Sequence, residues 1–423
     1  MSRNFGIILV ALLTGCATGW PLMPTPNIYA EAQAELFEEI PEAFESTKVE
    51  LLYVTDRAPE TDEEGNLHYG FRRSHSLAFG TTVVDLGREV TWEDLVEASK
   101  NESRSIDFDL QMISTTEIVR LFPEPTPYTI VDGKIVDDPD VVTARDENIG
   151  RLQDEVARRL ALTPRKDVYL YVHGYHATFE DASFALAELW HFLGREGLPI
   201  VYTWPAGYPG LFGYTYDRES SEFTVFHLKQ TIRWLSEQPD VENIHLIAHS
   251  RGTDVMMSAV RELVIAARGA DDLPQRRYKI ANLVLAAPDI DFEVALQRIA
   301  AERIGLEVGQ LTLYTSPQDK AIGFAERLFA SPRGRLGTLD ASDFEAAELR
   351  VLKSNPGTLT VVNFKGSPDA PGFGHSYFRT NPSVSSDLVL LLRYGLKPGE
   401  PGRPLEDLGI GFWRVPPGYP NSR

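Results

Sequence analysis

The segment Ile247–Asp254 reads IAHSRGTD and places Ser250 in a setting typical of a catalytic nucleophile. It nearly fits the pattern G-x-S-x-G, in which a serine at a sharp turn between a strand and a helix attacks a carbonyl carbon. Gly252 occupies the second glycine position, whereas Ala248, one methyl group larger, occupies the first. Serine is also a common helix cap, so a structural role for Ser250 is the alternative interpretation.

A serine nucleophile needs a general base, and the chain has nine histidines. In the chain order nucleophile, acid, base, the histidine lies on the loop that follows the last strand of the sheet. His375 fits this position, in the segment GFGHSYF between a predicted strand and the predicted final helix. We therefore predict His375 as the base; a solvent-exposed loop histidine is the alternative.

The acid of a triad holds the imidazole in the right tautomer and stabilises the imidazolium. Asp319, in YTSPQDKAI, follows a predicted strand that ends at Ser316 and lies between Ser250 and His375 in the sequence. We predict Asp319 as the acid and keep Asp289, in AAPDID, as its rival. Asp289 or Asp291 could equally cap the helix that follows.

An oxyanion hole needs backbone N–H groups that point at the developing negative charge. The predicted donors are Arg251, directly after the serine, and Tyr175, in the segment VHGYHATFEDA. His173 and His176 in that segment could be taken for a metal pair. No carboxylate or third ligand stands at a suitable spacing, so we predict neither a metal nor another cofactor.

Composition narrows the class of protein. The 423 residues are 43% hydrophobic and carry a formal net charge of −20. Such a chain can bury a large core, and its acidic balance argues against a nucleic-acid partner, which needs a basic surface. The single cysteine, Cys16, excludes intramolecular disulfides and thiolate zinc sites.

Cys16 stands at the end of a segment built like a secretory signal. Arg3 is followed by an apolar run from Phe5 to Leu13, too short to span a bilayer, and then by Leu-Thr-Gly-Cys. These four residues resemble the lipobox of bacterial lipoproteins, which implies cleavage after residue 15 and lipidation of Cys16. Ala17 follows the cysteine, and by the same resemblance it suggests the outer membrane of a Gram-negative bacterium. We expect a lipid anchor at Cys16 as the membrane contact.

The elements that would position these residues alternate along the chain. Short apolar strands are predicted to alternate with amphipathic helices, a pattern that indicates a doubly wound, mostly parallel sheet with helices on both faces, in the α/β class. Eight strands are predicted from Lys48 onwards, among them Asp167–Gly174, Asn243–Ser250 and Gln310–Ser316. We expect a signal peptide over residues 1–15, an acidic, proline-containing tether over 16–47, the domain over 48–400, with an insertion or elaborated edge at 92–146, and a Pro/Gly-rich tail over 401–423.

Eight short motifs between about Val49 and Tyr394 resemble the α/β hydrolase fold of the esterase/lipase superfamily, and within it a bacterial family of uncharacterised proteins. They are Tyr53–Arg57, Phe79–Gly80, Val172–Tyr175, Trp204–Pro205, His249–Gly252, Ala287–Asp289, Ser316–Ala321 and His375–Phe378. The resemblance implies Ser250 as nucleophile, Asp319 as acid and His375 as base. It names no substrate.

These features predict a carboxylic ester hydrolase that acts on small acyl esters through an acyl-enzyme. An aromatic segment, Trp204–Asp217, would suit an acyl or aryl group, or it packs on the core. A peptidase or acyltransferase could use the same residues. A non-catalytic envelope lipoprotein on a hydrolase scaffold is the other alternative, and no pattern indicates an oligomeric state.

Overall fold

The computed structural model describes residues 19–30, 35–37, 40–210, 212–355, 357–365 and 374–420. The predicted signal peptide and lipidation site, residues 1–18, lie outside the described residues. The strands of the described part are β1 (Trp20–Pro21), β2 (Lys48–Thr61), β3 (Leu67–Asp85), β4 (Asp109–Arg120), β5 (Tyr128–Val131), β6 (Lys134–Asp137), β7 (Asp167–Val172), β8 (Leu198–Thr203), β9 (Asn243–His249), β10 (Ile280–Ala286), β11 (Gln310–Thr315), β12 (Thr360–Asn363), β13 (Glu406–Gly409) and β14 (Phe412–Arg414).

The α-helices of the same part alternate with these strands over most of the chain. They are α1 (Asn27–Ala30), α2 (Trp92–Ala98), α3 (Pro139–Leu160), α4 (Phe179–Phe192), α5 (Gly213–Ser236), α6 (Gly252–Gly269), α7 (Pro274–Tyr278), α8 (Phe292–Ala295), α9 (Lys320–Phe329), α10 (Ala346–Ser354), α11 (Tyr377–Thr380) and α12 (Pro382–Leu392). A π-helical turn, Leu296–Ala301, continues α8.

One large sheet organises the described residues, in the order β1-β4-β3-β2-β8-β7-β9-β10-β11-β12-β14-β13. Its centre is parallel, from β2 through β8, β7, β9, β10 and β11 to β12. Antiparallel strands flank it on both sides, and β5 and β6 form a separate hairpin. The expected doubly wound, mostly parallel architecture is confirmed.

The central strands are buried on both faces, which explains why they are nearly continuous apolar runs. All six residues of β7 are buried. One face carries a core with α3, α5 and α6, and the opposite face carries a core with α4 and α12. Because the central strands are parallel, their carboxyl ends lie along one edge of the sheet, where the loops after β7, β8, β9 and β11 meet.

The N-terminal segment differs from the free tether that its composition suggests. Trp20 and Pro21 pair with Leu110 and Asp109 of β4, and the apolar side chains Leu22, Met23 and Tyr29 are buried. The apolar residues between the prolines drive this packing, since each buried aliphatic or aromatic side chain contributes ~1.5–3 kcal/mol.

The segment 92–146 and the described residues 401–420 of the tail also join the domain. The first supplies β4, which extends the sheet as an elaborated edge, together with α2 and the β5–β6 hairpin. The second supplies β13 and β14, and its Arg403 forms a fully buried ion pair with Asp387 of α12 at 2.7 Å. The helix α3, which the sequence interpretation did not include, begins with Asp138 as its N-cap and Pro139 at its first turn.

Within the described residues, no helix combines the length and the apolar character that a membrane crossing requires. The same residues contain no group of three or more His, Cys, Asp or Glu side chains arranged to hold a metal ion.

Candidate active site

Ser250 occupies the turn between β9 and α6, with a backbone φ of +52°. This left-handed conformation is strained for a residue that has a Cβ, and such strain is typical of a nucleophile elbow. The Ser250 N–H donates to the Ala286 carbonyl of β10 at 3.0 Å, and the Ser250 carbonyl accepts from Thr253 N–H at 3.0 Å. The hydrogen bonds from the adjoining strand and helix hold the turn in place.

Two glycines make room for the elbow. A Cβ on Gly252 would lie 2.2 Å from the His173 carbonyl oxygen, so only glycine lets α6 start this close to the end of β7. A Cβ on Gly174 would lie 2.7 Å from the Cβ of Ser250. Ala248, in place of the first motif glycine, is fully buried in the core of one sheet face.

His375 and Asp319 are hydrogen bonded at the same edge of the sheet. The Nδ1 atom of His375 lies 2.7 Å from Oδ2 of Asp319, and because a carboxylate only accepts, the imidazole donates this bond. The other oxygen, Oδ1, accepts the backbone N–H groups of Ala321 and Ile322 at 3.0 Å each, as the N-cap of α9. Asp319 is 2% exposed, and three hydrogen bonds, from Ala321, Ile322 and His375, fix the buried carboxylate.

His249, the residue before the nucleophile, joins the elbow to the histidine loop. Its ring centroid lies 4.7 Å from the His375 ring, and its Nε2 lies 3.3 Å from the His375 carbonyl oxygen. Burial and the neighbouring His375 lower the pKa of His249 well below its usual value, so the ring is neutral at pH 7. The structure thus brings the predicted nucleophile, acid and base to one edge.

Asp289, the rival for the acid, has different partners. It is buried, forms a short ion pair with Arg335, and accepts a hydrogen bond from the Tyr214 hydroxyl at 2.9 Å. The carboxylate bound to His375 is that of Asp319. Asp291 caps α8 by accepting the N–H groups of Glu293 and Val294.

The two predicted oxyanion donors lie on loops next to Ser250. Arg251 directly follows it, and Tyr175 lies on the loop after β7, beside Gly174. Among the described residues, neither backbone N–H has a protein acceptor. Both groups are therefore available to a negatively charged oxygen, as an oxyanion hole requires.

Neighbouring buried charges hold the loops after β7 and β8. Arg57 of β2 donates to the carbonyls of Ala177 at 2.9 Å and Ala206 at 3.0 Å. Asp217, on the first turns of α5, accepts the N–H groups of His176 at 2.9 Å and Gly207 at 3.1 Å. The motif interpretation assigned Arg57 no role. It also missed Asp217, which appeared only as the end of the aromatic segment Trp204–Asp217 and lies on α5, a helix that begins at Gly213.

His173 is buried, and both of its ring nitrogens have backbone hydrogen-bond partners. Its Nε2 accepts the Trp204 N–H at 3.0 Å and its Nδ1 lies 2.9 Å from the Gly174 carbonyl, which fixes the Nδ1–H tautomer. Burial and the nearby Arg57 lower the pKa of His173 to about 3, so the ring is neutral. Trp204 stacks on this ring at 5.0 Å.

The aromatic segment Trp204–Asp217 divides between core packing and the site. Tyr214 contacts the Tyr175 ring at 5.0 Å and the Phe329 ring at 5.0 Å, which places it at the wall beside the proposed oxyanion loop. Behind Tyr214 lies a cavity of about 300 Å³ lined by charged side chains, including Arg251 and Arg298. Phe212 is 70% exposed.

The described N-terminal segment reaches the histidine loop. Arg379, on the helix α11 that follows His375, forms a short ion pair with Glu188 of α4 and lies over the Trp20 ring, 4.5 Å from its centroid. The Met23 N–H donates to the same Glu188 carboxylate at 2.9 Å. The N-terminal segment thereby packs against α11, the helix that follows His375.

A large, mostly parallel sheet with helices on both faces, and a strained serine on a strand–turn–helix at its carboxyl edge, define an α/β hydrolase. Residues 149–393, more than half of the chain, match the family described as "Alpha/beta hydrolase of unknown function (DUF900)", and the chain belongs to this family. None of the curated proteins matches the chain.

Three solved chains match the structure. One is the Pyrobaculum calidifontis esterase in a monoclinic form, with 10% sequence identity and a TM-score of 0.30, over 61% of this chain and 94% of that one. A likeness of this degree carries no argument about activity.

Proposed function

We propose that this protein is a serine hydrolase that cleaves carboxylic esters through an acyl-enzyme on Ser250. The observation that carries the proposal is the 2.7 Å hydrogen bond between His375 Nδ1 and the buried Asp319 carboxylate. His375 follows β12, where a triad in this chain order places its base, and Asp319 holds the imidazole in the tautomer whose Nε2 can accept the Ser250 proton. The strained conformation of Ser250 and the free N–H groups of Arg251 and Tyr175 support the same assignment.

The reaction follows from these roles. Ser250 Oγ attacks the ester carbonyl carbon while His375 Nε2 takes its proton, and Asp319 stabilises the imidazolium. The N–H groups of Arg251 and Tyr175 bind the oxyanion of the tetrahedral intermediate. Its collapse expels the alcohol, which receives the proton from His375. Water, deprotonated by His375, then attacks the acyl-serine. The second tetrahedral intermediate collapses as His375 returns the proton to Ser250 Oγ, which releases the carboxylic acid and regenerates the enzyme.

A fluorophosphonate probe tests the activated serine directly. We expect the signal-free protein to be labelled, peptide mass mapping to place the adduct on Ser250, and Ser250→Ala to abolish it. Asp319→Asn should label more slowly, since the base is no longer oriented. A folded wild-type protein that is not labelled would contradict the proposal and favour a non-catalytic scaffold.

The acyl group is the next quantity to determine. Initial rates on p-nitrophenyl esters of increasing chain length, with the corresponding thioester and anilide, give the ratio of kcat/KM values that defines the substrate class. We propose small acyl esters, because the aromatic ring of Tyr214 lies beside Tyr175 of the proposed oxyanion loop, where it would contact a short acyl group. A preference for the anilide would indicate a peptidase instead.

We also propose that Cys16 carries a lipid anchor and that the protein is held at the bacterial outer membrane. The support is the sequence of residues 3–17 alone. Labelling of cells with an alkynyl fatty acid should mark the wild-type chain and not Cys16→Ser, which should appear in the soluble fraction. An unlabelled, membrane-free wild type would contradict the anchor.

A further inference from the structure

Two buried charges of opposite sign hold the backbone of the two loops beside Ser250. The loops are His173–Thr178, after β7, and Trp204–Tyr208, after β8; the two strands are neighbours in the sheet. Arg57 contacts carbonyl oxygens of both loops, and Asp217 contacts N–H groups of both. We call these two residues the loop clamp.

Arg57 is the cationic half of the clamp. Its side chain is 1% exposed, and its guanidinium donates to the carbonyls of Gly70 at 2.8 Å, Ala206 at 3.0 Å and Ala177 at 2.9 Å. Burial lowers the pKa of Arg57 to about 10, which still leaves the side chain charged at pH 7. Among the described residues no carboxylate forms an ion pair with Arg57; its guanidinium bonds to the three carbonyls and also lies 3.4 Å from His173 Nε2.

Asp217 is the anionic half. It is fully buried on α5 and accepts the N–H groups of His176 at 2.9 Å, Gly207 at 3.1 Å and Tyr208 at 3.4 Å. Burial raises the pKa of Asp217, an effect that these three N–H groups oppose. A carboxylate without a cationic partner in hydrogen-bond contact is expensive to bury, so its bonds to the loops must stabilise it.

The clamp acts on the backbone around Tyr175. His176 has a φ of +61°, the left-handed region, and Asp217 holds that residue through its N–H. Arg57 binds the carbonyl of Ala177, one residue further along. The two peptide groups that follow Tyr175 and carry the His176 N–H and the Ala177 carbonyl are therefore held in place. They restrict the direction in which the Tyr175 N–H points.

We propose that Arg57 and Asp217 are positioning residues that orient the Tyr175 N–H toward the oxyanion formed at Ser250. This inference rests on the proposed function. An oxyanion donor stabilises a transition state only when it is already oriented before the reaction. Loss of one clamp residue should therefore lower kcat and leave KM nearly unchanged, because the ground-state ester does not depend on this donor.

The experiment compares Asp217→Asn with Asp167→Asn in the full chain without its signal. Asp167 is a matched control: it is also buried and hydrogen bonded, to Asn243 at 2.8 Å and His245 at 3.2 Å, but it lies at the opposite, amino end of β7. We expect Asp217→Asn to lower kcat on a p-nitrophenyl ester by ~10–100-fold, less than the ~100–1000-fold of a deleted oxyanion donor. KM should change less than threefold.

Two further readouts separate positioning from a loss of stability. Amide hydrogen exchange of the peptide that contains Tyr175 should accelerate in Asp217→Asn and not in Asp167→Asn. Affinity for a trifluoromethyl ketone, which forms a tetrahedral adduct, should fall in parallel with kcat/KM. Arg57→Lys keeps the charge but cannot reach three carbonyls, and it should show the same pattern in a weaker form.

The outcomes distinguish the two proposals. Wild-type turnover together with unchanged kcat in both Asp217→Asn and Arg57→Lys would overturn the loop clamp and leave the esterase intact. An equal loss of kcat in Asp167→Asn would show that stability alone is responsible and would also overturn the clamp. A wild-type protein with neither turnover nor fluorophosphonate labelling would overturn the proposed function, and this role with it.

Discussion

The substitution Asp319→Asn should impair catalysis and leave the fold nearly intact, because the two carboxylate oxygens of Asp319 have different partners. Oδ1 of Asp319 caps α9 through two N–H groups, whereas Oδ2 accepts only the proton of His375 Nδ1. Asparagine can keep its oxygen at the cap, which turns its NH₂ group toward His375. Two donors then face each other, so the imidazole adopts the other tautomer, with its proton on Nε2. That nitrogen can no longer accept the Ser250 proton.

The expected magnitudes follow from this geometry. Loss of the orienting carboxylate in a Ser–His–Asp arrangement lowers kcat by about 10⁴, or about 5.4 kcal/mol of activation free energy. The free energy of unfolding should fall by only ~1 kcal/mol, because a single hydrogen bond changes and both cap bonds remain. The assay is the initial rate on a p-nitrophenyl ester, with Ser250→Ala as the background, together with urea unfolding of the same samples.

Asp289→Asn is the matched control, since it makes the same exchange at the rival acid. It removes the carboxylate from the buried Arg335, so the free energy of unfolding should fall by ~3 kcal/mol while kcat stays within tenfold of the wild type. The reasoning would be refuted if Asp319→Asn kept more than a tenth of the wild-type kcat. A loss of activity in Asp289→Asn alone would make Asp289 the acid.

Three further results are expected. Ser250→Gly should have a free energy of unfolding ~1 kcal/mol higher than that of Ser250→Ala, because glycine adopts the φ of +52° without strain. Equal urea midpoints of the two variants would contradict the strained elbow. Gly252→Ala should lower the free energy of unfolding by ~1–3 kcal/mol, since the new Cβ would lie 2.2 Å from a backbone carbonyl oxygen. Gly269→Ala, at the open end of the same helix, should not destabilise the protein. Similar urea midpoints of the two variants would argue against close packing at Gly252. Between pH 6.5 and about 3 the unfolded chain protonates His173 while the native chain does not, so the free energy of unfolding should fall by up to ~1.4 kcal/mol per pH unit as the pH drops. In His173→Asn, urea unfolding should show a shallower dependence of this free energy on pH. An unchanged dependence would contradict a neutral, buried ring.

The parallel centre of the sheet was predictable because its signal is local. Strands such as β7 and β9 are buried on both faces, so their residue types alone mark them, and the observed ends differ from the expected ones by one or two residues. The chain order of Ser250, Asp319 and His375 was likewise visible, since each residue follows a recognisable strand.

The parts that were not predicted depend on contacts between distant segments. Trp20 pairs with a strand some ninety residues away, and Arg403 finds its partner on another element. The loop clamp is of the same kind: Arg57 bonds to Ala177, 120 residues away in the sequence, and Asp217 to His176, 41 residues away. From their charge, Arg57, Asp217 and Arg403 would be expected at the surface, because nothing in their local sequence shows that distant segments will bury them and bond to them.

The pairing of Trp20 with β4 limits how a lipid on Cys16 would hold the domain. Three residues lie between Cys16 and Trp20, and the four Cα steps that join them reach at most ~14 Å when fully extended. A folded chain of this length has a radius of gyration of about 22 Å, so the linker between the lipid and the domain would be shorter than the radius of the domain. The domain would then sit against the lipid surface with restricted tumbling. Arg379, which lies four residues after His375, contacts the Trp20 ring. The edge of the sheet that carries the proposed catalytic residues would therefore lie on the side of the molecule that the linker holds near the bilayer.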